Sequence, residues 1–415
     1  MIKSAFNNLA GLMLFFSLML PTAVTQIKIA ILFFITLTMP LLLISKRAKL
    51  SQQILTLAVA YAGFGLVWSF YGLIVGNPGA MAVLTVMCLY PIVFVIIGSA
   101  YHERDAELLR NLFINIGLSI GVFSLVYILG YVLMPGNYVQ QIIEALYKDE
   151  AVVDFEGAYF KFTLPNISSC IFLLPFALMH FFYSKQSRLR SGLVTLTLVA
   201  ILLLSGRRGF FVAVLGGLPV AYLLTYMPGK IRFSNIKPNI NLILFVVLLM
   251  AGLTWFFTNF YGAEFYIAQI TSIFDFEQND SNIERANQFE FLMSGIEENP
   301  IFGSGAGAAA QYLRSIDQPW AYELTYVAFV FQYGIIGFLF YAAGITLLIY
   351  HLVSMVRKKG RNSFEFFYLS GFIAFMIANS TNPYLGKFDY MWVVFIPVAM
   401  LNNDLVLRSS FKNGM

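Results

Sequence analysis

Long apolar blocks alternate with short polar ones along the chain. An α-helix rises about 1.5 Å per residue, so about 20 apolar residues cross the hydrocarbon core of a bilayer. By that measure about twelve blocks predict membrane-spanning helices. They cover 6–21, 27–44, 54–75, 80–100, 112–134 and 167–183, then 191–205, 210–227, 240–258, 322–350, 364–379 and 388–401. The first block follows Lys3 but ends in Pro21-Thr22-Ala23-Val24-Thr25, a poor cleavage site. It therefore reads as a retained helix rather than a signal peptide. The expected fold is an all-α polytopic integral membrane protein, a single transmembrane domain over residues 1–415.

Two polar intervals, 135–166 and 259–321, are too long to be mere connectors. In the second, Ile283, Ala286, Phe289, Leu292, Met293 and Ile296 recur at three- and four-residue spacing. That spacing predicts an amphipathic helix over 282–298. Ser281 or Asn282 can cap it, Glu284 suits the positive helix start, and Asn299-Pro300 ends it, with Arg285 in the first turn. In the first interval Val139, Ile142, Ile143 and Leu146 predict a shorter helix over 137–147, resting at the bilayer interface.

Composition narrows the class. Residues are 59% hydrophobic and 11% charged, with a mean hydropathy of +0.76. A soluble domain carries about a quarter charged residues, so a soluble enzyme, a disordered chain and a nucleic-acid-binding domain are excluded. The net charge of +5 reports topology instead. Most of the 26 basic residues fall in short loops around Lys46, Arg104, Lys185, Lys230 and Arg357, and at both ends of the chain. The positive-inside rule puts those loops and both termini in the cytoplasm, and the two long loops on the opposite face. Cys88 and Cys170 lie in apolar blocks and read as buried, making neither a disulfide framework nor a metal site.

The predicted spans carry almost no charge in their middle thirds, which weighs against proton- or sodium-coupled transport. Charges gather at the outer boundary. Arg207 and Arg208 stand in the turn Ser205-Gly206-Arg207-Arg208-Gly209, against the positive-inside pattern. Two guanidiniums there can receive phosphate oxygens or reach lipid headgroups. Glu323 starts a span, either as an acid with chemical work or as a partner for the helix dipole. Gly303, Gly305 and Gly307 alternate in Phe302-Gly303-Ser304-Gly305-Ala306-Gly307. This is either a tight loop or a backbone surface offering N–H groups to an anion.

In this order the motifs resemble the O-antigen ligase and O-antigen polymerase (Wzy-type) superfamily of bacterial inner-membrane glycosyltransferases. Ser205–Gly209 is similar to the family's S-R-G turn, and Gly157 through Pro165-Asn166 to its G…P-N start of a middle span. Arg285 followed by Asn299-Pro300-Ile301-Phe302-Gly303-Ser304-Gly305-Ala306-Gly307 is similar to R…P-L-F-G-x-G-x-G. Tyr322-Glu323-Leu324-Thr325-Tyr326 and Gln332-Tyr333-Gly334-Ile335-Ile336-Gly337 resemble the H-N/E…G-x-x-G span.

The resemblance implies a GT-C-like helical fold and a transferase whose donor and acceptor glycans hang from undecaprenyl diphosphate. It implies a periplasmic active site, with no cofactor, no metal and no nucleic acid involved. Membrane lipids and a separate chain-length regulator are the implied partners. Glu323 would be the catalytic base, and Arg207, Arg208 and Arg285 would hold the diphosphate. Arg314, Lys161 and Lys387 are supporting candidates, with Gly303, Gly305, Tyr322 and Tyr326. Two departures matter. Ligases carry His-Asn where this chain has Glu323-Leu324, while its histidines His102, His180 and His351 all map to the cytoplasmic side. That favours a polymerase over a ligase, and either over a flippase, which needs polar cavity residues and only short outer loops. Asp154-Phe155-Glu156 also stands where a basic residue often precedes the G…P-N segment.

Overall fold

The computed structural model describes residues 2–134, 136, 138–147, 151–156, 159–184, 186–205, 207–226, 244, 248, 251, 252, 255 and 280–412. Fourteen helices and one hairpin are labelled among them. Every predicted apolar block except 240–258 falls on a helix; that block lies outside the described residues save for five positions. Among the described residues seven helices are long and apolar enough to cross a membrane. Their large side chains, such as Ile29, Val67 and Leu133, stand more than half exposed, as expected of surfaces that face lipid.

The chain divides into two compact units. The first comprises Met1–Ile116, Asn287–Met355 and Asn379–Met415. It opens with a helical hairpin, α1 (Ile2–Met19) and α2 (Thr25–Ile44). Next come α3 (Gln52–Ile74), capped by the Ser51 hydroxyl, and α4 (Ala80–Leu84) running through a π-helical turn, Thr85–Leu89, into α5 (Tyr90–Gly98). The last helix, α14 (Trp392–Lys412), packs on α5 and α3. Asn402 of α14 accepts the Ser51 N–H and donates to the Lys49 carbonyl, each at 2.8 Å.

Lys28 of α2 is 3% exposed and pairs at 2.6 Å with Asp389, which lies in the short 3₁₀ turn Phe388–Tyr390. The ammonium also donates to the Leu20 carbonyl at 2.7 Å, and Asp389 accepts the Thr22 N–H at 3.0 Å. A buried charge is tolerable only when paired and hydrogen-bonded in this way.

The second unit comprises Gly117–Ala286 and Val356–Ala378. At its centre α8 (Ile167–Tyr183), buried over most of its length, packs against α9 (Arg188–Leu204) and α13 (Phe364–Ala378). In turn α13 packs on α10 (Arg208–Tyr226). A Cβ at Gly217 would stand 2.7 Å from the Ala374 Cα, and one at Gly371 would stand 2.7 Å from the Phe172 carbonyl oxygen. Close helix approach through small residues is how membrane helices pack without a hydrophobic driving force between them. The short predicted helix is present as α7 (Tyr138–Tyr147). Beside it in sequence is an antiparallel hairpin, β1 (Val152–Glu156) with β2 (Tyr159–Thr163), in the register Val152↔Thr163 to Glu156↔Tyr159. The fold is all-α as expected, with this short hairpin as a loop detail that the apolar blocks did not predict. Its strands are rich in β-branched and aromatic residues but are too short to register as apolar blocks.

The remaining helices, α6 (Asp105–Leu133), α11 (Asp280–Glu298) and α12 (Thr325–Lys359), contribute residues to both units.

Candidate functional site

In the first unit the glycine-rich loop is joined to α12 by reciprocal backbone hydrogen bonds. Gly334 sits inside α12 at φ 65°, ψ −176°, which interrupts the helix and frees its ladder partners. The loop takes them up. Ser304 and Gly305 donate to the Phe331 and Gln332 carbonyls at 2.8 and 3.0 Å. In the other direction Ile335 and Ile336 donate to the Pro300 and Ile301 carbonyls at 2.9 and 3.4 Å. Broken backbone in such a protein must find partners within the protein, and here the exchange is reciprocal. Gly303, Gly305 and Gly307 all have positive φ, which glycine adopts without strain.

The N–H groups of Gly303 and Ala306 go to the Asn299 and Trp68 carbonyls. Asn77 donates to the Ser304 and Ala306 carbonyls at 2.9 and 3.3 Å. The loop is therefore a structural joint. The donors of Gly303, Ser304, Gly305 and Ala306 that would have cradled an anion are already hydrogen-bonded within the protein.

Downstream of this joint the chain fixes Glu323. Tyr322 is 2% exposed, and its hydroxyl accepts the Ala310 N–H at 2.6 Å. Burial pushes its phenol above the usual range, opposed by that hydrogen bond. The Glu323 N–H donates to Gln288 Oε1 at 2.8 Å, and the Glu323 carbonyl accepts the Thr325 N–H at 2.8 Å. Its carboxylate forms an ion pair with Arg314, Nη2 to Oε1, at 3.3 Å. Glu323 and Arg314, forecast as separate members of the site, are thus in contact.

Gln288 was not foreseen. It is fully buried on α11 in line with Leu292, and Gly295 further along admits the edge of the Phe331 ring. The buried face of α11 is therefore rotated from the predicted stripe: Ile283 and Phe289 are 37% and 50% exposed. A small residue that admits a ring, and a polar residue that caps a backbone N–H, outweigh apolarity where lipid can also receive an apolar face. The sequence signal was a glutamine one helical turn before a core leucine.

The second unit places Arg207 at the turn between α9 and α10. Its Nη1 donates to the Ser168 hydroxyl at 3.3 Å, and its guanidinium lies 5.3 Å from the Phe210 ring centre. Ser168 belongs to the first turn of α8, just after Pro165-Asn166, so two of the quoted motifs meet there. Asn166 is fully buried, with neither side-chain polar atom hydrogen-bonded.

Arg285, in the first turns of α11, donates to Asn282 Oδ1 at 3.3 Å. Tyr326 lies in the first turn of α12 beside the Asn379 side chain. Lys387 is exposed ahead of the 3₁₀ turn. The side chains of Arg208 and Lys161, together with Gly157, Gly206 and residues 256–279, lie outside the described residues.

Residues 193–342 match the family model described as O-antigen ligase, Wzy_C. The matched segment runs from α9 into α12 and contains Arg207, Arg208, Arg285, the glycine loop, Arg314 and Glu323. Over this segment the chain is similar to the O-antigen ligase and polymerase superfamily, whose members are glycosyltransferase-like membrane enzymes with lipid-linked glycan substrates. A search of curated proteins found no match to the chain.

Proposed function

We propose that this protein is an O-antigen polymerase, joining oligosaccharide repeat units carried on undecaprenyl diphosphate at the periplasmic face of the bacterial inner membrane. Glu323 takes the proton from the acceptor hydroxyl as that oxygen bonds to the anomeric carbon of the donor. The bond from that carbon to the diphosphate oxygen breaks, and its electron pair leaves with the lipid diphosphate. Arg207, Arg208 and Arg285 hold the diphosphate and balance its growing charge, the role in which preorganised cations give most. The transfer needs neither metal nor cofactor. A separate chain-length regulator is the expected protein partner.

The observation that carries this reading is Glu323, anchored through its backbone by Gln288 and through its carboxylate by Arg314, inside the segment that matches the family. A ligase, transferring finished glycan to lipid A core, is the second reading. It is less favoured because the matched segment contains no histidine. His180 is bonded to Ser191, and His351 is buried near the far end of α12.

Deletion of the gene separates the two. Single repeat units on lipid A core support the polymerase, whereas glycan left wholly on the lipid carrier supports the ligase. Glu323→Gln and Arg285→Ala, inserted at normal level, should abolish polysaccharide ladders on a gel. Full ladders from both would remove the assigned roles.

A further inference from the structure

We infer that Arg314 is a positioning residue for Glu323, holding its carboxylate in the orientation that accepts the proton; this rests on the base role proposed above. The backbone around Glu323 is fixed on every side. Tyr322 is locked to Ala310, the Glu323 N–H to the fully buried Gln288, and the Glu323 carbonyl to Thr325. The side-chain torsions of Glu323 are what this frame leaves to be set. Arg314 meets the carboxylate from nine positions earlier, on a stretch of turns and bends rather than a helix.

Its neighbours on that stretch turn outward: Leu313 is 47% and Ile316 90% exposed. The Arg314 side chain instead folds back, to 35% exposure, onto a carboxylate that is 15% exposed. An ion pair that keeps some exposure on both sides adds modestly to folding, and its further consequence is geometric. A planar guanidinium fixes a carboxylate in direction as well as distance, which a lysine ammonium does less well.

The test uses the full-length enzyme in nanodiscs with a purified lipid-linked repeat unit, measuring kcat and KM. Loss of the orienting contact should lower kcat by about tenfold to a hundredfold, the scale of a misplaced catalytic group. Arg314→Gln should do this with KM within about twofold, and Arg314→Lys should recover only part of the loss. In a Glu323→Gln background, adding Arg314→Gln should change nothing further, because the two residues act as one unit. Unchanged kcat in Arg314→Gln would overturn the inference while leaving the base intact. A raised KM with unchanged kcat, or a further loss on top of Glu323→Gln, would overturn it in favour of a direct substrate contact. Full activity of Glu323→Gln itself would instead remove the base role.

Discussion

Gly303 and Gly334 approach so closely that neither backbone leaves room for a methyl group: a Cβ on Gly303 would stand 2.5 Å from the Gly334 nitrogen, and one on Gly334 would stand 2.6 Å from the Gly303 nitrogen. Both also have φ values that disfavour an L side chain, 72° and 65°. Gly303→Ala and Gly334→Ala should each destabilise the protein by at least about 2 kcal/mol, from backbone strain before any clash is counted. Gly344, elsewhere in α12, has open space around it, so Gly344→Ala should be neutral or slightly stabilising. Thermal unfolding of the three variants in one detergent compares them directly.

The Lys28–Asp389 pair gives a sharper contrast. Lys28→Met alone strands a buried carboxylate and should cost about 3–5 kcal/mol. Combining it with Asp389→Asn removes both charges and should recover most of that loss. Apparent Tm and the monodisperse fraction after size exclusion report both effects. A double variant as unstable as the single one would show that packing, not charge, is what Lys28 supplies.

Tyr322 predicts a pH effect. Its phenol is raised in the folded state, so folding disfavours ionisation there. The stabilisation is complete below the unfolded value of 10.0 and is lost as pH climbs through the folded value. Apparent Tm should therefore fall in alkali beyond about pH 10 in the parent protein, and less steeply in Tyr322→Phe. At neutral pH that variant should be less stable by about 1–3 kcal/mol, because the Ala310 N–H loses its acceptor.

Gln288 should matter for turnover as well as for folding. Gln288→Ala removes the acceptor of the Glu323 N–H and frees the turn that carries the carboxylate. A kcat lowered by about tenfold or more is expected, on the scale of misplaced catalytic groups. An assay with purified enzyme and lipid-linked repeat units would measure it. Equal activity in Gln288→Ala would show that the remaining contacts, Arg314 and the Tyr322–Ala310 hydrogen bond among them, position Glu323 without it.

Much of this was readable from the residues. The blocks placed the helices because apolar length alone predicts a span, and Asn299-Pro300 marked the end of α11 correctly. The motif order around Arg207 and Glu323 indicated the family that the matched segment bears out. Other features depended on tertiary partners. The alternating glycines read equally well as an anion cradle, and only the break at Gly334, some thirty positions on, shows where the Ser304 and Gly305 N–H groups go. Gln288 lies off the predicted apolar stripe, and its spacing from Leu292 was a weak signal because its partner is a backbone N–H that no residue type marks. The hairpin at Val152–Thr163 was too short to rise above the apolar blocks around it.

Lys28 and Asp389 are 361 positions apart. During synthesis the amino-terminal helical pair is made with its lysine unneutralised, and the partner leaves the ribosome only when nearly the whole polypeptide has been translated. The opening hairpin must wait for the closing turn before it can settle. Products stopped before that turn can keep the hydrogen bond from Lys28 to Leu20 but hold a buried ammonium without its carboxylate, which leaves the hairpin incompletely stabilised.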